Sequence, residues 1–189
     1  MRKAKMLLIV FLTAACMLQA QQPDGVIYKI GDAGSAGGIV FYDKGSYENG
    51  WRYLEAAPAE TESTAVWGAN ENEVYTMQDV GSGKRNTQLI IERQRQLGKT
   101  SFDAQICADM EINGYKDWFL PSINELAFML QNLKQKDLGG FSDNMYWSSS
   151  QLSGDLDSLS GLLALTQNDT SIGIYMVTQT ATVRAVREF

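Results

Sequence analysis

Three short stretches of this chain gather side chains that hold hard cations or sugar hydroxyls: "FSDN" with Asp143 and Asn144, "GDLD" with Asp155 and Asp157, and "QND" with Asn168 and Asp169. Calcium needs only carboxylate and carbonyl oxygens, and the same oxygens accept hydrogen bonds from hydroxyls. All six residues are candidate ligand contacts, and Asn168 with Asp169 is the candidate calcium pair. Asn and Asp are also the residues that reverse turns favour, so the letters serve both readings. No other cofactor is expected.

The chain contains no histidine. That removes the usual zinc, non-haem iron and copper sites, together with the Ser-His and Cys-His bases of common hydrolases. Ser148, Ser149 and Ser150 in "YWSSSQ" therefore read as hydrogen-bonding residues of a strand. Cys107, in "FDAQICADMEING", reads as a small buried hydrophobe. The glycines of "GDAGSAGG" invite a phosphate-loop reading, but a β-rich run follows them where a phosphate loop needs Gly-Lys-Ser/Thr opening a helix. They are expected to be hairpin glycines.

Sixteen basic against 22 acidic residues give a formal net charge of −6. An acidic chain is a poor partner for nucleic acid or sulfated glycans, which bind through basic patches that release counterions. Lys84-Arg85 with Arg93 and Arg95 is the one basic cluster, read as a solvated helix face.

The elements that must position these residues follow from pattern. "GVIYKIG", "GGIVFYDKG" and "GWRYLEAAP" are β-rich runs, the last two predicted to form a hairpin with an eight-residue connection from Asp43 to the turn pair Asn49-Gly50. Residues 58–82 are polar and weakly periodic, a surface excursion pinned by Trp67. "NTQLIIERQRQLG" places Leu89, Ile90 and Leu97 on one side of a helix that Gly98 ends. Ser101 can cap a second helix running to Asn113-Gly114. In "SINELAFMLQNLKQK", Ser122 and Glu125 form a capping box, and Leu126, Met129, Leu130 and Leu133 make an apolar stripe. Strands return in "MYWSSSQ", "GLLALTQ", "SIGIYMVTQ" and "TATVRAVREF".

"NGYKDWFLPSINEL" joins the second and third helices. Gly114 allows a turn closed to most residues, Asp117 can accept backbone hydrogen bonds, and Pro121 excludes helix at Leu120. Trp118 and Leu120 are expected as core clamps, with Phe119 left open between core and surface.

At the N-terminus "MRKAK" precedes the apolar "MLLIVFLTAA", too short to span a bilayer, so residues 1–20 read as a secretory signal. Cleavage after Ala20 and lipidation at Cys16 in "LTAAC" both fit. Loss of the segment removes Arg2, Lys3 and Lys5 and no acidic residue, leaving the mature chain still more acidic. Residues 21–25 read as a linker and 26–189 as a single domain. With cleavage after Ala20, Cys107 is the only cysteine left, and no intrachain disulfide forms.

The segments "GDAGSAGGIVFYDKG", "GWRYLEAAP", "GSGKRNTQLI", "CADMEINGYKDWFLPSINEL", "YWSSS" and "VRAVREF" together resemble the bacterial domain family named for the C-terminal region of the Legionella collagen-like adhesin. The resemblance spans nearly all of the mature chain. It implies an exported or surface domain with a fold similar to the C-type-lectin-like group, and glycan adhesion is known for some relatives. Relatives commonly carry a further Trp after "YWSSS". This chain has "GLLALTQ" there, so a ligand surface built on that aromatic does not carry over. "QND" is similar to the Trp-Asn-Asp calcium signature of C-type lectins, with Gln167 in place of Trp.

The expectation is thus an α+β, C-type-lectin-like domain, with two to three helices between N-terminal and C-terminal strands of antiparallel sheet. Its expected function is non-enzymatic binding of a glycan or protein ligand at the cell surface through C-terminal loops. A structural envelope module and a histidine-independent hydrolase are the alternatives. Contact with a membrane is expected only through a lipid anchor.

Overall fold

The computed structural model describes residues 25–68, 74–151, 162–165 and 172–189, with the backbone alone for 162–165. β1 (Ile39–Glu48) and β2 (Trp51–Ala56) form the expected hairpin. Glu48 pairs directly with Trp51, so the connection is the pair Asn49-Gly50 alone, both at positive φ (54° and 87°). That is the backbone of the tightest hairpin turns, and it replaces the longer connection expected from sequence.

"GVIYKIG" forms no strand. Its Tyr28 instead packs edge-on against Tyr53 and Phe189, with ring centroids 5.2 and 5.1 Å apart. The excursion read over 58–82 contains β3 (Ser63–Val66), which pairs antiparallel with β7 (Thr180–Val183). Trp67 pins this segment as expected: it is 1% exposed and its indole N–H donates to the Ser148 carbonyl at 3.1 Å.

α1 (Gly83–Gln96) is followed by Gly98 at φ 71°. α2 (Asp103–Ala108) starts from an extended Phe102 and has no side-chain cap, so Ser101 does not serve as one. It also stops well short of Asn113-Gly114. Those two residues, at φ 51° and 83°, close a turn bridged by Ile112 and Tyr115. α3 (Ile123–Asn132) carries the capping box in full: Glu125 N donates to Ser122 Oγ at 3.3 Å and Ser122 N to Glu125 Oε2 at 2.7 Å. Leu126, Met129, Leu130 and Leu133 are all buried.

β4 (Tyr146–Gln151), β5 (Leu162–Leu165) and β6 (Ile172–Tyr175) follow, and the tail "TATVRAVREF" splits between two sheets. β7 joins a five-stranded sheet of order β3-β7-β4-β5-β6, while β8 (Val186–Glu188) completes a three-stranded sheet of order β1-β2-β8. Pairing is antiparallel except where β4 and β7 meet in parallel at Tyr146 and Thr182.

Two apolar clusters lie in this frame. Trp118 and Leu120 enter one, with Trp67 and Trp147, and Phe119 enters the other, with Phe41, Leu126 and Tyr146. An extended chain turns successive side chains to opposite sides, and Phe119 exchanges both backbone hydrogen bonds with Val186 at 2.9 Å. All three residues are therefore clamps, Phe119 included. Among the described residues no helix is long and apolar enough to cross a membrane.

Candidate functional site

The buried ionisable groups come first, because a catalytic site would use them. Glu55 on β2 is fully buried; it accepts from the Ala36 and Gly38 amides at 3.1 and 3.0 Å and from Arg187 at 2.9 Å. Burial pushes its carboxyl up, and the Arg187 hydrogen bond works against that. The glycines of "GDAGSAGG" make this closeness feasible: a Cβ at Gly34 would stand 2.3 Å from Glu55 Oε2, and one at Gly38 2.4 Å from the Ala56 carbonyl. The loop does wrap an anion with its amides, and the anion is the chain's own carboxylate.

Glu125 repeats the arrangement between two helix starts. Its Oε1 accepts from Gly81 N and its Oε2 from Ser122 N, both at 2.7 Å. Burial pushes its carboxyl up to about 7, against hydrogen bonds from Ser122, Gly81 and Gly83. Asp103 is also fully buried. Its Oδ1 accepts from Ala104 N at 2.5 Å, and burial pushes its carboxyl well above the ordinary Asp value, against that hydrogen bond. Cys107 is buried and free, with its thiol pushed up by the same cause.

The two arginines of "VRAVR" are knots in the fold, a role the sequence reading did not assign. Arg184 is 1% exposed and donates to the Ala57 carbonyl, to Glu62 at 2.6 Å and to the Gly139 carbonyl at 2.8 Å. Arg187 donates to Asp117 at 2.6 Å, to Ser35 at 2.8 Å and to Glu55, with its guanidinium 4.1 Å from the Tyr115 ring centre. Asp117, read as an acceptor for backbone amides, takes this guanidinium. Charged residues spaced i, i+3 inside an apolar terminal strand were the signal for both.

The serines of β4 are structural, but not through the ladder alone. Ser150 Oγ accepts from Ile123 N at 3.0 Å and donates to the Met77 carbonyl at 2.8 Å, and Asn86 donates to Ser149 Oγ at 3.3 Å. They fasten α1, α3 and the 74–79 segment to the sheet.

Of the six candidate ligand residues, Asp143 and Asn144 lie exposed in the turn before β4. Asp143 sits 3.7 Å from Lys134 Nζ, a solvated pair of little energetic weight. Asp155, Asp157, Asn168 and Asp169 lie outside the described residues, as does Cys16. Among the described residues no group of three or more His, Cys, Asp or Glu side chains is placed to hold a metal.

An open cleft of 560 Å³ lies between the tip of the β1–β2 hairpin, the start of α1 and the end of β8. Lys44 crosses Trp51 there, 3.8 Å from the ring centre, and donates to the Glu48 carbonyl at 2.5 Å. Burial lowers the Lys44 ammonium, with Glu48 and Glu188 opposing that shift. Lys84 pairs with Glu188 at 2.8 Å, while Arg85 and Gln88 stand exposed on the rim. The basic dipeptide Lys84-Arg85, read from sequence as a solvated helix face, lies in this cleft.

No protein-family model matches the sequence, and no curated protein matches it. The described fold is similar to the crystal structure of a fimbrial protein from Bacteroides ovatus ATCC 8483, with a TM-score of 0.53 and 16% identity over 73% of this chain. The match covers 36% of that protein, so this chain corresponds to little more than a third of its length. The structure itself shows an α+β fold, with helices set between the opening hairpin and the closing strands, and the comparison is a likeness of fold alone.

Proposed function

We propose that this chain is an exported, non-enzymatic domain displayed at the cell surface, where it binds a glycan or protein ligand. One observation carries the reading. Glu125, whose carboxyl burial pushes up to about 7, is the best general-acid candidate among the described residues. Yet it is fully buried, and both its oxygens are held by backbone amides. A general acid must reach the proton it transfers. Glu125 is committed to starting two helices, which counts against the hydrolase reading.

Surface display draws support from the likeness to a fimbrial protein and from the signal-like N-terminus, with release, periplasmic retention and lipid anchoring at Cys16 all compatible. The same likeness favours a second reading, a structural envelope module without a small ligand. The C-type-lectin-like assignment and the kinship with the Legionella adhesin domain belong to this proposal, resting on the quoted motifs. So do the ligand contacts Asp143, Asn144, Asp155, Asp157, Asn168 and Asp169, with calcium at the last two.

Replacing Asn168 and Asp169 together by alanine tests the loop contacts. The double variant is expected to weaken binding of the ligand found by array screening while its melting temperature stays within about 2 °C, as polar loop substitutions do. Unchanged binding removes this loop from the site.

A further inference from the structure

The geometry points to the cleft between the β1–β2 turn and the first turns of α1 as a subsite for an uncharged saccharide. This rests on the glycan-binding reading and moves the contact away from the C-terminal loops. The cleft volume of 560 Å³ is within the range of about 300–1,000 Å³ typical of small-molecule sites. Its lining is the opposite of an apolar pocket. Arg85, Lys84 and Lys44 offer donors, Glu48 and Glu188 offer acceptors, and the amide of Gln88 offers both.

A saccharide hydroxyl donates one hydrogen bond and accepts two, so a ring of hydroxyls is matched by alternating donors and acceptors rather than by one sign of charge. A sulfated or carboxylated ligand would find Lys84 already paired with Glu188 and Lys44 already bonded to the Glu48 carbonyl, and would meet both carboxylates in the same cleft, in a chain that is acidic overall. An apolar ligand would strand the polar lining without partners. An uncharged polyol satisfies it.

The lining is held in place. Asn49 and Gly50 form the tight turn at the tip. The Gly81 amide is fixed on Glu125, and a Cβ at Gly81 would stand 3.2 Å from Cζ2 of Trp51, the indole on the cleft floor. Trp51 is itself 9% exposed beneath Lys44. Arg85 and Gln88, three residues apart on α1, share a helix face, and their side chains make no hydrogen bond among the described residues. They are the groups left over for a ligand.

The test titrates the full mature chain with chitohexaose, cellohexaose and maltohexaose as uncharged probes and heparin as the anionic one, followed by calorimetry and tryptophan fluorescence. At least one uncharged hexasaccharide should bind and perturb the fluorescence. Arg85→Ala with Gln88→Ala should weaken it at least tenfold with an unchanged thermal melt, since both side chains are exposed. Equal binding by the wild type and this double variant would overturn the cleft assignment while leaving glycan binding intact. Binding of heparin alone would overturn it as well, again without touching the broader reading. If none of the three uncharged probes binds, the proposal fails.

Discussion

Replacing Trp118 by alanine should destabilise the domain by about 3–5 kcal/mol, the usual cost of emptying a core aromatic site. The side chain is 2% exposed and packs in the cluster that holds Trp67 and Trp147. Its indole N–H has no partner among the described residues, so Trp118→Phe should cost much less, because it removes an unpaired donor along with the second ring. Urea melting of both variants checks the pair; a wild-type-like midpoint for Trp118→Ala would place the indole outside the core. Glu125 gives a second prediction at this scale. Its carboxyl rises from 4.5 to about 7 in the fold. A raised value favours the folded state while the group is protonated, so its contribution is complete below pH 4.5 and fades as the pH climbs through about 7. The loss amounts to about 3 kcal/mol at 1.36 kcal/mol per unit. Glu125→Gln should flatten the stability profile between pH 4.5 and 8, and equal slopes for the two proteins would contradict the assignment.

Elements were legible in proportion to how local their causes are. The α3 capping box needs only Ser122 and Glu125, and it formed as read. The hairpin turn needs only Asn49-Gly50, and it formed even more tightly than expected. Where distant partners decide, the pattern misled. "GVIYKIG" has strand composition, but Tyr28 is used to cover Tyr53 and Phe189, so its apolar residues serve packing rather than pairing. β3 hides in polar "STAV", since its pairing with β7 depends on residues at the far end of the chain. The glycines of "GDAGSAGG" were placed in a turn correctly, yet their purpose, room for Glu55, is a contact about 20 residues away. The cleft was the least legible: its lining comes from the hairpin, α1 and β8, and Lys84-Arg85, which lie in it, read from sequence only as a solvated helix face. Ser122 tests how much the cap contributes. Ser122→Ala should cost about 1–2 kcal/mol, toward the upper end because Ser122 Oγ also donates to the Asp79 carbonyl at 2.9 Å. Thermal melting checks it, and a loss below about 0.5 kcal/mol would show that α3 starts without its cap.

At the scale of the whole molecule, the closing segment ties the architecture together. β7 lies in one sheet and β8 in the other, and Arg184 and Arg187 carry the polar connections between them and the loops at Glu62, Gly139, Ser35 and Asp117. Glu55, Glu62 and Asp117 are bound to these two arginines, while Arg85 and Gln88 stand exposed at the rim of the cleft. The most direct test incubates residues 21–189 with a panel of glycans and protein ligands, recovers what they retain, and compares the mass of each retained ligand before and after. The account predicts at least one ligand retained and unchanged in mass; a cleaved or otherwise modified ligand, or a panel from which nothing is retained, would contradict it.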